Sequence, residues 1–206
     1  SELSLKPVPP ITSGVLAYYP LDGNANDYSG NGYHGTIIGS GVISVTGRDG
    51  IPNGAYSFNP TNANMNEGYI AAGSGGNLTF NAASHNYTVA MWFKVASFDT
   101  PHGDLHLIKD HPVNSSDSIP QSYGLSVQLG ERRVSNNIWT PPNNGRVISS
   151  DVGVTSNTWY HAALVVRGNQ DQQLFINGQL AASMSIAGVA STAGNTRGIT
   201  IGGGWY

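Results

Sequence analysis

Apolar residues along the 206-residue chain recur in short runs, cut by Gly, Pro, Asn and Asp rather than by charge. The plainest run is Tyr87–Val95. Tyr87, Val89, Met91, Phe93 and Val95 alternate there with Thr88, Ala90, Trp92 and Lys94, and alternation of this kind marks an extended strand with one face against a core. Similar runs predict strands at Val15–Tyr19, Ala55–Phe58, Gly68–Ala71, Leu105–Lys109, Tyr123–Leu129, Trp159–Arg167, Leu174–Ile176, Leu180–Met184 and Gly198–Ile201,. Asn177-Gly178 stands between two of these runs, and the pair accepts the positive φ angles of a two-residue hairpin turn. No stretch repeats apolar positions at helical spacing with capping residues. About a dozen strands and no helix predict an all-β domain of two packed antiparallel sheets. Asp99–Pro120 and Asn136–Arg146 read as long irregular loops,.

Pro7, Pro9 and Pro10 set Ser1–Ser13 apart as an extended arm,, leaving residues 14–206 as one domain. Composition narrows the partners. Only 10% of residues are charged and 27 are Gly, so the surface is expected to consist of neutral hydrogen-bonding groups in turns and sheets. The nine Lys and Arg are scattered, with no basic stripe to neutralise phosphates, so nucleic acid is not an expected partner. No apolar run reaches the length of a membrane-spanning helix. With no Cys, disulfides and thiolate metal sites are excluded. The chain begins at Ser1 rather than Met, which reads as a processed protein or an excised domain, expected outside the cell or on its surface.

From Tyr19-Pro20-Leu21-Asp22-Gly23-Asn24 through Tyr33-His34-Gly35-Thr36 the chain resembles the opening of laminin-G-like jelly-roll domains of the concanavalin A-like superfamily. Gly54–Phe58, Tyr87–Lys94, Leu107–Lys109, Tyr123–Leu125, Trp159–Leu164 and Phe175–Gly178 follow the family's order. The resemblance implies a concanavalin A-like antiparallel β-sandwich and a lectin-like or adhesive role. In the family one more strand, lying beside the first, usually closes the domain. Here the sequence ends at Gly202-Gly203-Gly204-Trp205-Tyr206, so an unpaired edge is expected beside Val15–Tyr19; one reading is a domain boundary that cuts the closing strand off, the other strand addition from a neighbouring chain.

The residues that carry chemistry are few. Glycosidases of this fold need paired carboxylates, yet Glu2, Glu67 and Glu131 have no Asp or Glu two residues away. No Gly-x-Ser-x-Gly elbow is present either,. Asp22-Gly23-Asn24-Ala25-Asn26-Asp27 is rich in oxygen ligands. The resemblance implies a structural Ca²⁺ held by Asp27 with Asp22; the alternative is a set of Asx-turns in which these side chains bond their own backbone. His102, Asp104 and His106 alternate, so a strand would turn all three to one face, a donor set for Zn²⁺ or another divalent ion; a solvated polar loop is the other reading. Trp92, Phe93, Trp159, Phe58 and Phe175 are expected in the core or between the sheets, and His161 as a structural histidine. Trp139, among Asn136, Asn137, Asn143, Asn144 and Arg146, is the best candidate for a sugar-stacking ring; the other reading is an aromatic tucked under its own loop. Asn137, Asn143, Tyr123, Asp110 and His111 are the further candidates for ligand contact.

Three functions compete on these readings. One is a non-catalytic extracellular module that binds glycans or polysaccharide. Another is a structural subunit of a surface filament, sheath or virion, forming homo-oligomers by strand exchange. The third is an enzyme working through the His/Asp cluster.

Overall fold

The computed structural model describes residues 13–58, 68–73, 77–99, 104–110, 121–140, 144–192 and 198–203. Its elements in chain order are β1 (Gly35–Ile38), β2 (Val42–Val45), β3 (Ala55–Phe58), β4 (Tyr69–Ala72), β5 (Tyr87–Lys94), β6 (Asp104–Lys109), β7 (Gly124–Gln128), β8 (Arg133–Thr140), β9 (Asn144–Gly153), β10 (Trp159–Arg167), β11 (Asp171–Ile176), β12 (Gln179–Ser185) and β13 (Ile199–Ile201). A seven-stranded sheet runs β1-β4-β13-β6-β7-β8-β9, a four-stranded sheet runs β12-β11-β10-β5, and β2-β3 forms a small ribbon. Every registered pairing is antiparallel. The fold is the all-β sandwich the alternation predicts.

The core lies between the two large sheets. Ile70, Leu125, Val127, Val134 and Ile138 meet Leu164, Val166 and Leu174, all with almost no exposure. Along β5 the predicted alternation is realised: Tyr87 and Phe93 are buried while Thr88, Ala90, Trp92 and Lys94 are exposed. The Asn177-Gly178 turn closes β11 onto β12 with φ of 50° and 80°, the positive pair that such a turn demands.

Four expectations are corrected. Val15–Tyr19 forms no strand, because side chains of the following turns take its backbone groups instead. The Asn31 amide donates to Val15 O and Leu16 O, and Asp27 accepts from Tyr18 N. The sheet edge is therefore not at Val15–Tyr19: among the described residues the seven-stranded sheet ends at β1 and β9. Asn136–Arg146 is no loop either, since β8 and β9 pair across it with Asn137 opposite Val147 and Trp139 opposite Gly145. The fourth concerns Trp92, Trp159 and Phe175, which are not core: Trp92 is 49% exposed, because its place in the alternation is opposite to that of Tyr87 and Phe93, and the register puts Trp159 and Phe175 on the same outer face.

The β8–β9 hairpin was hidden by polar side chains facing inward. Asn136 is fully buried and its amide donates to Gln172 Oε1 across the sheets at 2.9 Å. The Gln172 amide in turn donates to Arg146 O. A buried amide is tolerated when its donors and acceptors are met, and this pair breaks the apolar rhythm that marks strands elsewhere.

Candidate ligand-binding face

The outer face of the seven-stranded sheet gathers the polar side chains. Cross-strand partners share a face, so the register fixes its rows. Asp104 pairs with Gln128 and Gln128 with Arg133. In the next row His106 pairs with Ser126, Ser126 with Ser135, and Ser135 with Ser149. The row beyond holds Lys109 opposite Gly124 on one side and Thr200 on the other. Asn137 and Trp139 lie further along β8 on the same face, two and four residues past Ser135.

One irregularity builds this face. His106 and Lys109 are three residues apart, which strict alternation would send to opposite sides. The ladder shifts between His106 and Ile108, and Leu107 becomes the extra residue of a bulge. Ile108 then points into the core opposite Leu125, and Lys109 emerges beside His106. Gly202 N donates to Leu107 O and ties the bulge to the end of β13.

Hydrogen bonds order the far end. Gln121 and Trp139 exchange both backbone bonds, at 2.7 and 2.9 Å. The Gln121 amide donates to Asn137 O at 3.2 Å and lies where a side chain at residue 124 would stand, so Gly124 is required to be bare. Ser126 and Ser135 share a hydroxyl contact of 3.0 Å, and Ser149 donates to Gln128 Oε1 at 3.1 Å. Trp139 is half-buried. Asn137 Oδ1 is shielded from solvent and has no hydrogen-bond partner among the described residues. An acceptor of this kind is costly to leave unmet. Gly145 sets only backbone against it: a Cβ there would stand 3.7 Å from Asn137 Oδ1 and 3.6 Å from the Trp139 ring.

Burial governs charge on this face. It pushes the His106 pKa down to about 3, with the Lys109 cation adding to the effect, so the imidazole is neutral. Burial also pulls Lys109 down to about 8. Asp104 is raised by burial, against a hydrogen bond from the Leu129 backbone.

The remaining sequence candidates fall elsewhere. Burial would raise Asp27, but bonds from Tyr18 N, Ser29 N, the Ser29 hydroxyl and Tyr33 N outweigh it and hold its pKa low. These donors lie 2.8–3.0 Å from its two oxygens. N–H and O–H groups aimed at both oxygens suit an Asx-turn and not a cation, so the carboxylate does not fit the Ca²⁺ reading. Asp22 is exposed and, among the described residues, accepts only from the Asn24 amide, at 3.4 Å. Asp104 and His106 do share a face; His102 lies outside the described residues, and among those described no three His, Cys, Asp or Glu come together as a metal site.

Tyr123 and Asp110 are corrected from ligand contacts to interior groups. Tyr123 is 2% exposed and its hydroxyl donates to Leu78 O. Asp110, 1% exposed, accepts from Ser122 N, the Ser122 hydroxyl and Tyr123 N. Burial drives its pKa up to about 7, against those hydrogen bonds. Asn143 and His111 lie outside the described residues. Sequence reading missed Gln121, Lys109 and the serine row. The serines sit in alternating register and were legible in principle, whereas the bulge masked Lys109.

Two antiparallel sheets packed face to face, with a polar outer face on the larger one, define a jelly-roll sandwich of the lectin-like class. The chain belongs to the concanavalin A-like lectin/glucanases superfamily: the Laminin_G_3 family model matches residues 58–206. No curated protein gives a significant match. Among solved structures, the binding domain of Paraclostridial Mosquitocidal Protein 1 is 21% identical with a TM-score of 0.64, over 87% of this chain and 42% of that one. Domain 4 of AbnA, an extracellular arabinanase from Geobacillus stearothermophilus, was solved with arabinotriose; it is 17% identical with a TM-score of 0.63, over 93% of this chain and 84% of that one. A structure of botulinum neurotoxin type C, whose cell entry depends on interaction with two ganglioside molecules, is 12% identical with a TM-score of 0.63, over 93% of this chain and 43% of that one. The chain thus spans about two fifths of the toxin structures it matches. These likenesses establish the fold.

Proposed function

We propose that the chain is a non-catalytic, extracellular carbohydrate-binding module that takes its sugar on the outer face of the seven-stranded sheet, at the Trp139 end. The observation that carries this reading is the shielded Asn137 Oδ1, without a hydrogen-bond partner among the described residues, beside the Trp139 ring. A sugar offers what the pair lacks: a hydroxyl to donate to the amide oxygen and an apolar ring face for the indole. Gln121 and Gln128, both partly exposed, continue the polar surface along neighbouring strands, over a buried Ser126–Ser135 pair. Adjacent strands lie about 4.8 Å apart, so the rows from β6 to β9 give an oligosaccharide room for several contacts. The superfamily, a neighbour solved as a binding domain and another solved with arabinotriose support the same reading.

Isothermal titration with arabino-oligosaccharides, backed by affinity electrophoresis on a polysaccharide panel, tests it. Binding is expected, and Trp139→Ala should weaken it at least about tenfold with an unchanged circular dichroism spectrum. If no panel member retards the protein, or if Trp139→Ala binds as the parent does, the reading is wrong.

A further inference from the structure

The four-stranded sheet carries a second organised surface on the opposite side of the molecule. On its outer face Trp92 pairs with His161, and in the next row Lys94 pairs with Trp159. The block is a checkerboard, with the two indoles on one diagonal and the ammonium and imidazole on the other. The Lys94 ammonium lies 5.2 Å from the Trp159 ring centroid, and the imidazole ring stands 5.2 Å from the indole of Trp92. Arg48, from the turn between β2 and β3, adds a guanidinium 4.4 Å from the Trp92 ring centroid. Among the described residues, the carboxylate ion-paired at this block is Asp49, which is itself exposed and bound to Arg48 at 2.8 Å.

Half-exposed indole in mid-strand needs a reason, because burying it would favour stability. The surroundings supply one. The neighbouring row runs Ala90, Ala163, Phe175 and Leu180, a low floor of two methyl groups that ends at a Leu 54% exposed. An apolar floor rimmed by fixed cations is complementary to a ring with one apolar face and a negative charge at its edge. Asp49 offsets the Arg48 charge, whereas Lys94 is in no ion pair among the described residues.

We infer that the Trp92–Lys94–Trp159–His161 block is a second binding site, specific for carboxylate-bearing sugars, with Lys94 and Arg48 meeting the carboxylate and the indoles the ring. It shares no residue with the Trp139 face and does not depend on it.

The test is titration of the full chain with trigalacturonic acid and with sialyllactose at low salt, against carboxyl-reduced trigalacturonate and lactose as neutral counterparts. At least one acidic probe is expected to bind, to lose affinity as salt rises, and to bind at least about tenfold more tightly than its neutral counterpart. Lys94→Gln and Trp92→Ala should each weaken it about tenfold or more, whereas Trp139→Ala should leave it unchanged. Lys94→Gln alters an exposed side chain and retains the fold, which a thermal melt confirms. Failure of both acidic probes, equal binding of the neutral forms, or loss in Trp139→Ala but not in Lys94→Gln would each overturn the inference. So would sedimentation showing that this face instead pairs two copies of the chain in a manner abolished by Trp92→Ala.

Discussion

Three buried ionisable groups show how single residues set the pH response. Asp110, with a folded pKa near 7 against about 3.9 when unfolded, holds its proton more tightly in the fold. It therefore makes stability fall as pH rises from about 4 to 7. His106 does the reverse. Its folded pKa of about 3 lies below the unfolded value of about 6.5, so the unfolded chain takes up the proton first and stability rises with pH across about 3 to 6.5. Each slope is at most about 1.4 kcal/mol per pH unit, and they oppose one another. The parent is expected to be nearly flat between about pH 4 and 6.5 on this account. Asp27, held low by its donors, adds stability that is lost only as pH falls below the normal carboxylate range. Urea unfolding at several pH values checks this. Asp110→Asn should unmask a rise in stability with pH, and His106→Phe a fall. Parallel profiles for both variants would show that neither group titrates as its burial dictates.

At the scale of elements, the bulge in β6 gives a sharp expectation. Leu107 is the extra residue of the ladder, so deleting it restores strict alternation and leaves Asp104, His106 and Lys109 on the outer face. The deletion forfeits the Gly202 bond and a partly buried Leu side chain, a loss of about 2 kcal/mol, but the variant should still melt cooperatively with a β-type spectrum. Deleting Ser126 from the regularly paired β7 should instead abolish the cooperative melt, because Leu125 and Val127 cannot then both face the core,. The same contrast explains what the sequence made legible. β5, β10 and the β11–β12 hairpin were plain because apolar residues fill every inward position or a turn pair marks the bend. β8 and β9 were not, since Asn136 and Ser150 are buried where alternation calls for apolar side chains. Trp139 and Asn137 were singled out correctly as neighbours, but as loop residues. That they share a sheet face with Asp104 and His106 depends on strand pairing, which no local pattern encodes.

Across the whole molecule, the Asn136–Gln172 bond is a polar rivet between two largely apolar sheet faces. Gln172→Ala would strand the Asn136 amide and open a void, together costing about 3 kcal/mol. Gln172→Ala with Asn136→Ala should recover part of that loss in a double-mutant cycle measured by denaturant unfolding; strictly additive losses would show that the two amides do not support each other. The sandwich also has a geometric consequence. Its two outer sheet surfaces look away from each other, so one polymer strand cannot lie on both at once. Occupancy of both would gain nothing in grip on a single chain; it would make each copy a junction between separate strands. Mixed with a soluble polysaccharide carrying both kinds of sugar, such a molecule would thicken the solution into a network, and the thickening would vanish when either surface was disabled.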